Sequence, residues 1–188
     1  AFQFYLAFED KMRTQRPEAG EWDRIPFGIK VQKIWGAFDF SFSWIKEVSY
    51  WPGVHVYHRE YYLGSDFVGA VGDFGVYGEA VLNVPRNEDG RFDISGRRTK
   101  DLLEYCVGGD YIFSHADLTL RMEYYHQGRG VTNKADYDLM GGLSTGQALQ
   151  AEDYLLVALE KIFLNYYTFT FGTFINCNDG SFILIPEL

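Results

Sequence analysis

The stretch GSDFVGAVGDFGVYGEAVL (residues 64–82) places two acids among small and apolar residues. Asp66 and Glu79 lie thirteen residues apart, and the later stretch GGDYIFSHADLTLRMEYY repeats this separation with Asp110 and Glu123. A carboxylate pair on adjacent strands suits glycoside hydrolysis, but a catalytic dyad needs no copy one hairpin further along the chain. We therefore interpret both stretches as one repeated β-hairpin unit, with an acid on each strand and a turn between them.

The same alternation of apolar and polar residues runs through most of the chain. In AFDFSFSWI (residues 37–45) the aromatic residues occupy one face of a strand, and Asp39, Ser41 and Ser43 occupy the other. Residues 148–163 contain good helix formers, but a helix there would interrupt the order of hairpins. The pattern predicts about ten strands, near residues 2–8, 27–34, 37–46, 57–71, 74–85, 102–113, 118–127, 152–163, 166–176 and 181–188.

The predicted connections alternate in length. Short turns fall near residues 35–37, 72–74, 114–117 and 164–165. Long polar segments cover residues 9–26, 47–56, 86–101 and 128–151, and the short segment NCNDG (residues 176–180) is the exception to this alternation. Many predicted strands have about ten residues, the length of a transmembrane strand, whereas strands of globular sheets usually have five or six. The fold class predicted is all-β: an antiparallel up-and-down transmembrane β-barrel, or part of one, with short turns at one end and long loops at the other.

Composition and charge limit the classes of protein to which this chain can belong. Aromatic residues make up 18% of the 188 residues and glycine occurs 20 times, a composition typical of sheets. No window holds the roughly 18 consecutive apolar residues of a membrane-spanning helix, a criterion that does not exclude a β-barrel. The net charge of −9, without a basic stripe, makes nucleic acid an unsuitable partner. The length predicts one domain over residues 1–188.

Two arrangements bury a row of aromatic residues: a soluble barrel points them inward, whereas a membrane barrel points them toward lipid and its polar row toward the lumen. Strand length, loop lengths and aromatic clusters near strand ends favour the membrane arrangement. The predicted pore-lining residues are Asp39, Asp66, Glu79, Glu104, Asp110, Arg121, Glu123 and Glu160. Lys30 and Gln32 join this row. Because acids outnumber bases, the lumen should favour cations or neutral solutes; alternatively, these side chains pair with one another and only fill the interior.

The hairpin unit G-x-D, short turn, x-E-[AY], together with NDGSFILIP near the end of the chain, resembles the strand repeats of porin-like Gram-negative outer-membrane β-barrels. The resemblance extends from about residue 27 onward. It implies an outer-membrane location and a passive or substrate-specific pore, that is, a transport channel for small solutes or ions. Such a channel is compatible with a homo-oligomer. The chain has no signal peptide and no final strand ending in an aromatic residue, so we expect a barrel domain truncated at both ends.

Charge on the long loops gives a further expectation about partners. The segment GRRTK (residues 96–100) and Arg129 place basic side chains where lipopolysaccharide phosphates and outer-membrane lipid would lie. Ordinary solvated charge is the alternative interpretation.

Other motifs give no positive prediction. His55 and His58, with Glu60 nearby, have a spacing too common to define a metal site. Residues 87–93 resemble a calcium loop but lack its regular ligand spacing and its bidentate glutamate. No nucleophile, phosphate-binding or dinucleotide motif is present, so we predict neither enzyme activity nor a cofactor nor a metal. Cys106 and Cys177 match no metal or redox spacing, and two free thiols are expected.

Two other functions compete with the pore. A soluble β-barrel would bind an apolar ligand in its interior and remain in aqueous solution without detergent. A barrel with a plugged lumen would have a structural or partner-holding role, entering membranes without passing ions.

Overall fold

The computed structural model of the protein describes residues 2–7, 27–51, 56–85, 99–138, 149–164 and 166–188. They form one antiparallel sheet in which strands that are consecutive in the chain are neighbours in space. The strands are β1 Phe2–Ala7, β2 Phe27–Trp35, β3 Phe38–Trp51, β4 Val56–Val71, β5 Phe74–Pro85, β6 Leu103–Phe113, β7 Leu118–Gln127, β8 Asp153–Phe163, β9 Tyr167–Asn176 and β10 Phe182–Glu187. Short 3₁₀ turns cover Thr99–Leu102 and Lys134–Asp136. The predicted all-β, up-and-down architecture is therefore confirmed.

The predicted strand boundaries agree with the structure except in the third hairpin connection. β3 continues to Trp51 and β4 begins at Val56, so residues 47–51 pair with 56–60. The long segment predicted at 47–56 was wrong, because the alternation of Glu47 and Ser49 with apolar neighbours continues the strand. Of the other long segments, the one predicted at 9–26 lies outside the described residues, as do residues 86–98 of the segment predicted at 86–101 and residues 139–148 of the segment predicted at 128–151. In the described part of the chain no helix is long and apolar enough to cross a membrane.

The turns at one end of the sheet are short, as predicted. Residues 36–37 and 72–73 each connect two strands directly. Gly36 and Gly72 have φ angles of 62° and 63°. Two-residue hairpin loops require positive φ at the first position, and glycine adopts it without steric cost.

The two acid pairs of the sequence are not equivalent in the structure. Asp66 lies directly opposite Glu79 on β4 and β5. In the second hairpin Asp110 lies opposite Arg121, and Glu123 lies opposite Gly108. The interpretation of both stretches as β-hairpins with an acid on each strand is confirmed, but the two hairpins differ in register. The first turn has two residues and the second has four, 114–117, so the second pair of acids is offset by two residues along the strands.

The strands are staggered in a regular way. One line of directly paired residues crosses eight strands: Gln32, Ser41, Asp66, Glu79, Cys106, Tyr125, Tyr154 and Asn176. Counted from this line toward the short turns, β2 and β3 end after three residues, β4 and β5 after five, β6 and β7 after seven, and β8 and β9 after nine. The stagger is thus one residue per strand. With a rise of roughly 3.3 Å per residue and a strand spacing of roughly 4.8 Å, the strands tilt by about 35° from the perpendicular to the row of turns.

The sheet is a single open layer. Among the described residues, β1 pairs with β2 alone and β10 with β9 alone, so both edges are unpaired. Burial is correspondingly low. The buried hydrophobic residues of the described part are Leu102, Ala151 and Tyr154, whereas the buried polar ones are Ser41, Lys46, Asn83, Gln127, Glu152 and Asn176. The usual arrangement of a soluble domain, with an apolar interior and a polar surface, is therefore absent from this part of the chain.

Candidate functional site on the polar face

The strand register brings the predicted polar residues to one side of the sheet. Residues directly opposite each other on paired strands point to the same side, and the side alternates along each strand. We call the side that carries the Asp66–Glu79 pair the polar face. It carries Asp39, Asp66, Glu79, Glu104, Asp110, Arg121, Glu123 and Glu160, together with Lys30 and Gln32. All the side chains predicted to line a lumen thus share one face.

The opposite side, which we call the apolar face, is largely aromatic and aliphatic. Its central part includes Val31, Phe42, Phe67, Leu82, Val107, Leu120, Met122, Val157 and Phe171. Many of these side chains are open to the surroundings, with 66% of Phe42 and 47% of Met122 exposed. Of the charged side chains described on this face, Lys33, Asp153 and Lys161 lie near strand ends, whereas Lys46 is buried in the interior of β3. The apolar band is therefore uncovered in its middle, and most of its charged side chains lie toward its margins.

Lys30, Ser41 and Asp66 form a contact across three strands of the polar face. Lys30 Nζ lies 3.1 Å from Asp66 Oδ2, and the Ser41 hydroxyl donates to the same oxygen. Lys30 is directly opposite Ser43 on β3, whose short side chain leaves room for the lysine to reach β4. The ion pair is about half exposed on both sides, 45% for the lysine and 44% for the aspartate.

Tyr77 and Glu123 meet over a glycine. Tyr77 on β5 donates its hydroxyl hydrogen to Glu123 Oε2 on β7, with 2.8 Å between the oxygens. The residue between them on β6 is Gly108. A Cβ atom there would come within 2.7 Å of the tyrosine Cζ and hydroxyl oxygen. The missing side chain at Gly108 is what allows this contact.

The remaining polar-face acids differ in their surroundings. Gln32 donates to Asp39 Oδ2, while Asp39 Oδ1 is buried and accepts no hydrogen bond from the described residues. The Asp110 carboxylate lies over Gly75, where a Cβ would approach Asp110 Oδ1 to 2.7 Å. Asp39 is thus held by a neighbouring side chain, and Asp110 occupies the space left by a glycine.

The long connection between β7 and β8 packs on the polar face at the loop end of the sheet. Gln127 Nε2 donates to the Leu149 carbonyl at 3.4 Å, and the Tyr154 hydroxyl accepts from the Ala151 amide at 2.7 Å. Asn176 Nδ2 donates to the Tyr137 hydroxyl at 3.0 Å. Because Gln127, Tyr154 and Asn176 all belong to the polar face, the described parts of this connection cover its edge.

A salt bridge ties the same connection to the turn before β10. Lys134 Nζ lies 3.3 Å from Asp179 Oδ2. Asp179 also accepts hydrogen bonds from the hydroxyl and the amide of Ser181, at 2.6 and 2.9 Å. These hydrogen bonds, with a smaller contribution from the lysine, lower the pKa of the Asp179 carboxyl.

Sequence reasoning missed a polar cluster at the loop end of the apolar face. His126 lies with Nδ1 2.8 Å from Asp153 Oδ1, and the Tyr124 hydroxyl donates to the same oxygen. Glu152 Oε1 lies 3.9 Å from His126 Nε2, and the Tyr105 ring stacks on the imidazole at 4.9 Å between centroids. The residues come from strands separated by a long loop, so no local motif identifies the cluster.

The other candidate residues of the sequence are two cysteines and the histidine and calcium-loop motifs. Cys106 and Cys177 are both free thiols, as expected. In the described part of the chain, no three His, Cys, Asp or Glu residues are grouped so that they could hold a metal ion. His55, residues 87–93 and the side chains of His58 and Glu60 lie outside what the structure describes.

Comparisons with family models, curated proteins and solved structures found no match to this chain.

Proposed function

We propose that the protein forms or lines a passive pore in the outer membrane of a Gram-negative bacterium, with its polar face toward water and its apolar face toward lipid. The observation that carries this proposal is the inverted polarity of the sheet. The sheet exposes an aromatic and aliphatic band on one side, and several of its buried residues on the other side are polar. Small solutes or ions would pass by diffusion, without a chemical step.

The apolar face is unfavourable in water and favourable in a lipid bilayer. A monomer in water rarely exposes a contiguous apolar patch larger than a few hundred Å². In a bilayer the same face is favourable, and charged residues are tolerated only toward the interfaces. The positions of Lys33 and Lys161, each two residues from a strand end, agree with this distribution.

Strand geometry also supports a barrel wall. Closed barrels require strands tilted by roughly 35–45°, and the stagger of this sheet corresponds to about 35°. Unpaired strand edges are not stable in lipid. We therefore propose that the free edges of β1 and β10 are paired in the membrane, so that these strands form all or part of a closed wall.

The charge of the polar face indicates which solutes would pass. Seven of the eight predicted pore-lining residues are acids, and Arg121 is the only base among those eight. Rings of carboxylates raise the local concentration of cations and repel anions. The pore should thus prefer small cations over anions and admit neutral solutes.

One observation favours the plugged barrel as a second candidate. The connection between β7 and β8 covers the polar face near Gln127, Tyr154 and Asn176. If this cover extends across the lumen, the protein would hold a partner or support the membrane without conducting.

Conductance in planar bilayers tests the proposal. The purified protein, reconstituted from detergent, should give discrete conductance steps, and a salt gradient should give a reversal potential that indicates cation preference. Membrane insertion without conductance would contradict the pore and favour the plugged barrel. A protein that stays in the aqueous phase without detergent would contradict both and favour the soluble ligand-binding barrel.

A further inference from the structure

Asp66 and Glu79 form a pair of directly opposed carboxylates in the middle of the polar face. Like charges at directly opposite positions of paired strands destabilise a sheet. Among the described residues, only one of the two carboxylates has a cationic partner. Lys30 and the Ser41 hydroxyl both contact Asp66 Oδ2.

Glu79 is the exposed member of the pair. Among the described residues its carboxylate has no hydrogen bond or ion pair, and the residue on its other side is Cys106. Lys30, Asp66 and Glu79 together therefore carry one net negative charge rather than two. Lys30 therefore sets the net charge of these three residues.

We propose that Lys30 is a specificity-determining residue, which sets the ion preference of the pore by neutralising one carboxylate of the opposed pair. The inference rests on the proposed pore function. The half-exposed ion pair contributes little to stability, as is usual for such pairs. Its main effect is on the electrostatic potential of the polar face.

The variant Lys30→Met removes the charge and keeps most of the length of the side chain. We expect its cation-to-anion permeability ratio to rise roughly two- to three-fold, the effect of one unit charge acting over about 7 Å in water. The two directly opposed residues then carry carboxylates without a cation between them, and carboxylate oxygens are the ligands that calcium prefers. Calcium should therefore bind the variant more tightly than the wild type.

Lys33→Met is the matched control, because Lys33 lies three residues further along β2 and on the apolar face. It removes the same charge from the chain without changing the polar face. Its permeability ratio and calcium affinity should equal those of the wild type. Thermal unfolding should verify that both variants fold, and Lys30→Gln replaces Lys30→Met if the latter does not.

Two measurements separate this inference from the pore itself. Reversal potentials in a salt gradient give the permeability ratio, and calorimetric titration of the detergent-solubilised protein with calcium needs no conduction. An unchanged permeability ratio in a conducting Lys30→Met variant overturns the role of Lys30 and leaves the pore in place. If the wild type does not conduct, the pore proposal fails. In that case, calcium binding that is tighter in Lys30→Met than in the wild type and Lys33→Met still supports the charge-setting role of Lys30. Equal calcium binding by the wild type and both variants overturns it.

Discussion

At the scale of single residues, a glycine allows polar side chains on the two strands beside it to form a hydrogen bond. Gly108 separates Tyr77 from Glu123, and the two reach each other only because β6 has no Cβ at this position. The sequence predicted that Glu123 belongs to the polar row, because its parity along the strand is a local property. Its partner was not predictable, because a tyrosine two strands away becomes a neighbour only through the register of two hairpins.

Gly108→Ala should destabilise the protein by about 1–3 kcal/mol, the usual cost of forcing an extra methyl group into a filled space. The new Cβ would lie within 2.7 Å of the Tyr77 ring and 2.9 Å of the Met122 carbonyl oxygen. The midpoint of urea unfolding in lipid vesicles measures the effect. Gly172→Ala is the control, because a Cβ there would approach Ile185 no closer than 3.7 Å. Equal midpoints for the two variants would contradict the steric role of Gly108.

At the scale of elements, sequence reasoning succeeded for strands and failed for register and loops. A period of two follows directly from strand geometry, so parity located β3, β5 and β7 and assigned the two faces. β8 was assigned because a helix there would interrupt the order of hairpins. Register depends on the number of residues in each turn. Because the turn at 114–117 has four residues, Asp110 does not lie opposite Glu123, as a repeat of the first hairpin would require. The packing of the β7–β8 connection on Asn176 was equally unpredictable, because it joins residues distant in the chain.

The salt bridge between Lys134 and Asp179 should help to hold the described part of the β7–β8 connection in place. Lys134→Met is expected to reduce the hydrogen-exchange protection of residues 128–138 several-fold at neutral pH, where the Asp179 carboxylate is charged. Because the pKa of Asp179 is lowered, the ion pair persists above the ordinary pKa of an aspartate and is lost as the pH falls through the lowered value.

Protection in wild type and Lys134→Met should therefore converge at acidic pH, once exchange is corrected for its intrinsic pH dependence. Lys161→Met provides a control on a lysine at the opposite end of the sheet, where Nζ contacts the Ala116 carbonyl. A difference between wild type and Lys134→Met that stays constant across the pH range would show that the ion pair does not hold this connection.

At the scale of the whole molecule, the proposed pore requires the apolar face to meet lipid and the polar face to meet water. The stagger of one residue per strand gives the tilt that a barrel wall requires. From β2 to β8 the polar row and the apolar band lie on opposite faces, although exposed aliphatic residues such as Ile34, Val68 and Ile112 also lie on the polar face, near the short turns. Composition and alternation predicted this separation. They could not indicate closure, because pairing of the edges of β1 and β10 depends on contacts beyond those within the described sheet.

Spin labels on adjacent residues of β7 test the face assignment most directly. Met122→Cys and Arg121→Cys place a label at nearly the same depth on opposite faces, in a background carrying Cys106→Ser and Cys177→Ser. In lipid vesicles, the label at position 122 should collide more with oxygen, which concentrates in the bilayer, and the label at position 121 more with a water-soluble nickel complex. The reverse preference, or equal access of the nickel complex to both labels, would contradict a sheet whose apolar face meets lipid and whose polar face meets water.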